Sequence, residues 1–307
     1  MKKHLFKQVS IIGLGLIGSS LALSIKKNRL AGKTIGFAKS LNTRKKAKKL
    51  NLVDTVSDSL SKSVKESDLV LICTPLSTYP KIVKSIKSHV KKGAIISDVG
   101  SVKEKSIKQL KSLLDKEIEF IPAHPIAGTE KSGPESGFAE LFVDRWCIIT
   151  PIAGNSKKNI NKIKSFWTSL GSRIEIMSPE RHDKVMAITS HLPHLIAYNI
   201  VSTAADLEDV TKSDIIKYSA SGFRDFTRIA SSDPTMWRDI FLNNKEAVLE
   251  MIGRFSEDLS ALQKAVRWED GNSLFKLFSR TKKIREKIIT AGQDTDVADF
   301  GRSKRIK

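Results

Sequence analysis

Residues 8–18 read QVSIIGLGLIG, and this stretch decides the fold. A short apolar run enters three glycines, Gly13, Gly15 and Gly18, and an amphipathic stretch from about Leu16 to Asn28 follows. Strand, glycine turn and helix in that order are what a dinucleotide-binding unit requires. Gly13 permits the tight turn, Gly15 lets the backbone approach a pyrophosphate, and Gly18 allows close packing of helix on strand. Free N–H groups and the dipole at the helix start, around Leu16 and Ile17, then hold the phosphates. The next strand is expected at residues 33–37, KTIGF. About twenty residues past the glycine loop an NAD site wants a carboxylate for the ribose hydroxyls. Ala38 stands there instead, followed by Lys39, Ser40 and Arg44. With cations at hand and no carboxylate to repel a 2′-phosphate, the expected cofactor is NADP or NAD, tilted toward NADP. The plainer reading makes Lys39 and Arg44 solvated residues of a helix start.

Alternation continues outward from this unit. VDTV at residues 53–56 is followed by a buried strand within residues 68–75, DLVLICTP, whose end places Thr74 and Pro75 beside the cofactor. Further strands are expected at residues 94–98, in FIPAHP, at 146–151 and at 173–177, with a helix at 157–170. The fold class is therefore α/β: a Rossmann-like, doubly wound, mostly parallel sheet over residues 1–177. Ser178-Pro179-Glu180 then reads as a helix start, with a cap and a first-turn proline. From there to about Ala291 the periodicity is helical, which predicts an all-α dimerisation domain at residues 178–292 and a polar tail at 293–307. The stretch from His182 to Leu207 is too apolar for a free surface helix, so a homodimer is expected.

Composition narrows the functional classes. A 307-residue chain with 40% hydrophobic and 28% charged residues suits a globular protein of two domains. No apolar run approaches the ~20 residues of a membrane span. The N-terminus lacks a small-residue cleavage site, so a cytoplasmic protein is expected. Cys73 and Cys147 lie in apolar runs and read as buried free thiols, and without a CxxC pattern no metal site is expected. The net charge of +20 comes from lysines dispersed over the chain, in pairs at 26–27, 45–46, 48–49, 91–92, 157–158 and 282–283. No basic cluster interleaved with aromatics appears, so the charge implies a pull on anionic small molecules and no nucleic-acid partner.

Three stretches carry candidate chemistry. In residues 121–130, IPAHPIAGTE, Pro122 and Pro125 remove backbone donors and push their neighbours toward extended geometry. The apolar FIPA reads as the end of a strand, which puts His124 where open α/β sheets bind ligands. A turn with a structurally bonded histidine is the alternative. In residues 190–194, SHLPH, the i,i+4 spacing puts Ser190 and His194 on one helical face, with backbone-bonded core histidines as the other reading. In residues 222–240, GFRDFTRIASSDPTMWRDI, Arg224 and Arg228 lie one turn apart, and Asp225 is placed to orient either. Arginine suits bidentate carboxylate recognition; an intrahelix ion pair is the plain alternative. Ser101, in DVGSVK, is either a helix cap or a hydroxyl aimed at the sheet's carboxyl edge.

GLGLIGSS, DVGSVK, AHPIAGTE, SHLPH and FRDFTRIA…DPTMWRDI together resemble the prephenate/arogenate (cyclohexadienyl) dehydrogenase family of tyrosine biosynthesis, in register from about Val9 to Arg302. The resemblance implies a Rossmann-type domain, a helical dimerising domain, and oxidative decarboxylation with a nicotinamide cofactor. It makes His124 the catalytic histidine and Ser101 the cleft serine that bonds near it. It places Thr129, Ser190 and His194 at the substrate, gives Arg228 a substrate carboxylate, and sets Trp237 near the subunit contact. Ala38 departs from the aspartate of many members and puts NAD preference in doubt. No room follows Arg302 for the regulatory domain some members carry, so any tyrosine feedback would use the active site. Between substrates, His194 offers no anion for an ammonium group, which favours prephenate with arogenate also accepted. Two other readings stand beside this one. A β-hydroxyacid or imine reductase of similar architecture leaves AHPIAGTE and SHLPH unexplained. A basic dinucleotide-sensing or nucleic-acid-binding protein needs a clustered basic face.

Overall fold

The computed structural model describes residues 4–115, 117–206 and 220–290. The chain divides into two compact units, residues 1–245 and 246–307. The first begins with β1 (Phe6–Ile12), α1 (Leu16–Lys27), β2 (Ala31–Phe37), α2 (Leu41–Lys49), β3 (Thr55–Ser57) and α3 (Leu60–Val64). It continues through β4 (Leu69–Ile72), α4 (Tyr79–Ile86), β5 (Ile95–Asp98), α5 (Glu104–Lys111) and β6 (Glu119–Phe120). These six strands form one parallel sheet in the order β3-β2-β1-β4-β5-β6. β4, reading LVLI, is buried throughout because helices cover both faces of a parallel sheet. Its side chains alternate: Leu69 and Leu71 enter one core, Val70 and Ile72 the other. The strand order reverses between β1 and β4, and the crevice at that switch point is where such sheets bind ligands.

A second sheet holds β7 (Ala123–Pro125), β8 (Trp146–Ile149) and β9 (Arg173–Ile176), with α6 (Lys157–Ser169) between the last two. β7 and β8 are antiparallel, β8 and β9 parallel. This corrects the reading of FIPAHP as one strand with His124 at its exit. Phe120 ends β6, and His124 sits inside β7, opposite Ile148. The handover takes one step. Ile121 N–H still bonds Ile96 of the first sheet at 2.9 Å, while the Pro122 carbonyl already accepts Thr150 N–H at 3.0 Å in the second. Pro122 has no N–H to continue the first ladder, so the chain leaves it there.

Among the described residues no strand follows β9. α7 (Pro179–Met186) starts as its sequence suggests, with the Ser178 hydroxyl accepting Arg181 N–H at 3.2 Å. A π-helical turn (Ala187–His191) joins it to α8 (Leu192–Asp206). Pro193 supplies the reason: it cannot bond the carbonyl four residues back and its ring crowds that group, so the helix widens. α9 (Ser221–Thr227), a 3-10 turn (Arg228–Ser231) and α10 (Pro234–Asn243) follow. α11 (Lys245–Arg267) runs into the second unit, where α12 (Gly271–Thr290) follows it. These two helices expose large apolar side chains, including Leu259, Phe275 and Phe278, and Trp268 in the turn between them is exposed as well. No helix among the described residues is long and apolar enough to cross a membrane. The expected tail, residues 293–307, lies outside the described residues, as does Leu207.

Candidate active site

The glycine turn assigns a separate job to each glycine. Gly13 has φ +98°, and a Cβ there would stand 2.5 Å from the Cys73 carbonyl oxygen. A Cβ on Gly18 would stand 1.8 Å from the Gly13 carbonyl oxygen, so this residue lets α1 start against the turn. A Cβ on Gly15 would meet nothing within 4 Å, which leaves open space before α1. No side chain caps α1 and no acidic residue lies in its first turn, so the N–H groups around Leu16 and Ile17 suit a pyrophosphate. At the β2 edge, the Ser40 hydroxyl caps α2 by accepting Thr43 N–H at 3.3 Å. Arg44 folds back and donates to the carbonyls of Ala38 at 2.7 Å and Lys39 at 3.0 Å. Lys39 and Ser40 are exposed. After β4, the Thr74 and Thr78 hydroxyls bond at 2.7 Å and Thr78 donates to the Pro75 carbonyl at 2.7 Å, which fixes that loop. Cys73 is half-buried and Cys147 buried, both free, and burial pushes both thiols well above their usual range.

DVGSVK contributes a clamp that its sequence did not reveal. Asp98 ends β5 and Lys103 precedes α5; both side chains are fully buried and paired at 2.8 Å. Asp98 also accepts from the Tyr79 hydroxyl at 3.2 Å and from Ala123 N–H at 3.3 Å. Lys103 Nζ donates to the Ala123 carbonyl at 2.6 Å. Both backbone polar groups of Ala123 are thus held by one buried ion pair, and His124 is the next residue. Burial of such a pair is tolerable because each charge keeps further hydrogen-bond partners.

His124 is buried in β7, and its Nδ1 lies 2.9 Å from Nε2 of His182, on α7. His182 Nδ1 in turn lies 2.7 Å from Oδ1 of Asp183. Asp183 accepts Lys103 N–H at 2.8 Å and Glu104 N–H at 2.9 Å, so it also fixes the start of α5. Burial, then the neighbouring His182 and Lys103, hold the conjugate acid of His124 well below its usual range. His124 is therefore neutral at neutral pH and able to accept a proton. Ser101 is half-buried in the turn after β5. Among the described residues its hydroxyl makes no hydrogen bond to His124, whose Nδ1 is taken by His182 instead.

A second group of side chains gathers on α8, the Arg228 turn and α10. Ser190 lies in the π turn and His194 in α8, and His194 Nδ1 bonds the Ser190 main-chain carbonyl, four residues back, at 2.9 Å. The His194 ring stacks on Trp237, with centroids 3.6 Å apart and planes 21° from parallel. Trp237 is buried in the core. Asp225 pairs with Arg224 at 3.2 Å, whereas Arg228 reaches Glu130 at 3.1 Å. The expected choice of Asp225 between two arginines is thereby settled for Arg224, the immediate neighbour. Arg228 Nε, Trp237 Nε1 and His191 Nε2 are buried without hydrogen-bond partners. Unsatisfied buried nitrogens are costly, and an Arg228 Nε–H left open in this way suits an anionic ligand. Thr129, half-buried, uses its hydroxyl to accept Lys131 N–H at 3.2 Å.

Asp98, Lys103, His182 and Asp183 sit in stretches whose sequence does not single them out. The one signal available was the density of histidines: of six in the chain, four lie at residues 124, 182, 191 and 194.

A family profile described as the prephenate dehydrogenase nucleotide-binding domain matches residues 21–176, and one described as the prephenate dehydrogenase dimerization domain matches residues 178–280. The chain is 42% identical over 285 residues to a cyclohexadienyl dehydrogenase of Zymomonas mobilis, covering 93% of this chain and 97% of that one. It is 35% identical to a prephenate dehydrogenase of Bacillus subtilis, covering 91% of this chain and 75% of the relative. Among solved structures, prephenate dehydrogenase from A. aeolicus with hydroxyphenyl propionate and NAD+ superposes with a TM-score of 0.85 at 35% identity, over 94% of this chain and 99% of that one.

Proposed function

The chain belongs to the prephenate dehydrogenase family, an oxidoreductase of tyrosine biosynthesis, and on that premise we propose that it acts on prephenate, accepts arogenate, and uses His124 as its acid–base residue. The observation that carries the assignment is a buried, weakly basic histidine whose Nδ1 is engaged and whose Nε2 is not taken by that partner. Prephenate has a ring carboxylate, a side-chain carboxylate, and a hydroxyl on the opposite ring carbon. The nicotinamide dinucleotide, when bound, supplies the hydride acceptor for that carbinol carbon. His124 holds the hydroxyl and takes its proton as the carbonyl forms. Loss of CO2 from the ring carboxylate then makes the ring aromatic. Arg228 pairs with a substrate carboxylate and fixes its orientation, an effect on geometry more than on charge. Ser190, His194, Thr129 and Trp237 complete the substrate side, with Ser101 contributed by the turn after β5.

Gly13, Gly15 and Gly18 with Leu16 and Ile17 hold the pyrophosphate, and Thr74 and Pro75 border the nicotinamide half. Ala38, with Lys39, Ser40 and Arg44 around the ribose, supports NADP at least as well as NAD. Prephenate is favoured over arogenate because His194, stacked on Trp237 and close to the Arg228 charge, presents no anion to an ammonium group. Exposed apolar side chains on α11 and α12 support a homodimer through the helical region, and two free thiols suit a reducing cytoplasm. The deciding assay follows reduced-cofactor absorbance with prephenate and with arogenate, each with NAD and NADP. Turnover is expected with prephenate, and silence in all four mixtures refutes the reading.

A further inference from the structure

Three groups outside the substrate side form a continuous chain from the start of α5 to β7: Asp183, His182 and His124. We propose that His182 and Asp183 are positioning residues that hold His124 in the tautomer with its proton on Nδ1, which keeps Nε2 bare as the accepting atom. The proposal rests on the assignment of His124 as the acid–base residue.

The chain of bonds dictates the protons one after another. Asp183 receives backbone N–H groups at both carboxylate oxygens, from Lys103 on Oδ1 and from Glu104 on Oδ2. It acts as an acceptor, so the proton in its 2.7 Å contact with His182 belongs to His182 Nδ1. A neutral imidazole carries one ring proton, which leaves His182 Nε2 as an acceptor. That atom lies 2.9 Å from His124 Nδ1, and a hydrogen bond there requires the proton on His124 Nδ1. His124 Nε2 is then left without a proton. Burial outweighs the Asp183 contact, which favours the cation, and with the Lys103 charge holds the conjugate acid of His182 below its usual range, which preserves this polarity. A cationic His182 would donate instead, force His124 Nδ1 to accept, and put the His124 proton on the wrong nitrogen. When His124 Nε2 takes the substrate proton, the Nδ1–H bond to His182 supports the resulting imidazolium, with Asp183 behind it. A tie that merely joined α7 to β7 would be indifferent to which nitrogen carried the proton. The same logic governs the carboxylate behind the histidine of a serine-protease triad, where the wrong tautomer costs about 10⁴ in kcat.

Selective 15N labelling of histidine reads the tautomer directly in the unmodified protein, with the His124 signals identified by their loss in His124→Asn. Nδ1 is expected to be the protonated nitrogen; protonation at Nε2 in the resting protein overturns the proposal. His182→Phe removes the acceptor and is expected to lower kcat about 100-fold, the upper range for loss of a group that orients a histidine. His182→Gln offers an amide oxygen to the same Nδ1–H and is expected to restore both the tautomer and most of kcat. A His182→Phe protein with normal kcat and unchanged 15N signals overturns the proposal even where His124→Asn is inactive. Near-normal turnover of His124→Asn instead removes the acid–base assignment itself, a separate and distinguishable failure.

Discussion

The glycine turn at residues 13–18 and the histidine group around His124 are built by opposite means. The turn works through backbone: what matters is where a Cβ is missing and which N–H groups are left uncapped at α1. All of it lies in one short stretch, so its geometry follows from local sterics. The histidine group works through buried side chains drawn from β5, the start of α5, β7 and α7. Its hydrogen bonds span 58 residues between His124 and His182, and 80 between Lys103 and Asp183. Backbone sites tolerate change in every side chain but glycine, whereas a side-chain relay tolerates little, because each buried polar group depends on the next.

Substitutions separate the two regions, beginning with the largest expected effect. His124→Asn should lower kcat by about 10²–10⁴ with little change in KM; near-normal turnover detaches the histidine group from the chemistry. Lys103→Met leaves Asp98 as an uncompensated buried charge and should cost about 3–5 kcal/mol in denaturant unfolding. A loss under 1 kcal/mol there means that the clamp on Ala123 is dispensable.

Acid should test the histidine group next. His191 Nδ1 lies 3.0 Å from the Asn244 amide nitrogen, and burial lowers its pKa to about 4. In the unfolded chain the same group titrates near 6.5. Between those values the unfolded state binds the extra proton, so the contribution of neutral His191 is complete above pH 6.5 and is lost as pH falls through 4. The loss amounts to about 3 kcal/mol. His191→Gln should flatten the fall of Tm with acid, and an unaltered slope contradicts this role. Arg228→Ala should raise the prephenate KM by about 1.5–3 kcal/mol of charge-assisted bonding, with kcat less affected. The smallest effect belongs to the glycine turn. Gly15→Ala should change stability by no more than about 0.5 kcal/mol, since its Cβ enters open space. It should still raise the cofactor KM, and an unaltered KM would move the pyrophosphate away from that turn.

The same contrast explains what the sequence could reveal. The glycine turn, the β–α alternation to Ile176, and the helical character after Ser178 depend on neighbours within a few residues, and each was legible. Arg228 stood out as an arginine within a distinctive motif, but its ion pair with Glu130 was not visible there. The partner of His124 was not. His182 stands near the start of an ordinary amphipathic helix, and nothing in the sequence around it distinguishes a buried relay histidine from a solvated one. Lys103 was passed over for a related reason: a lysine two residues after Ser101 reads as surface, and only the burial of Asp98 makes it core. The split of FIPAHP between two sheets depended on Thr150, whose N–H collects the Pro122 carbonyl, and that pairing is invisible at residue 122.

The π turn at Ala187–His191 amounts to one extra residue inserted into what is otherwise a continuous helical rod. Removing a residue there would still leave Pro193 without an N–H for the ladder, so α7 and α8 would not become one regular helix. One residue also sets the phase of everything beyond it by about 100°. The insertion therefore sets the azimuth of His194 on one side relative to His182 on the other. Ala187 and His191, both buried in this turn, tie that azimuth to the packing around them.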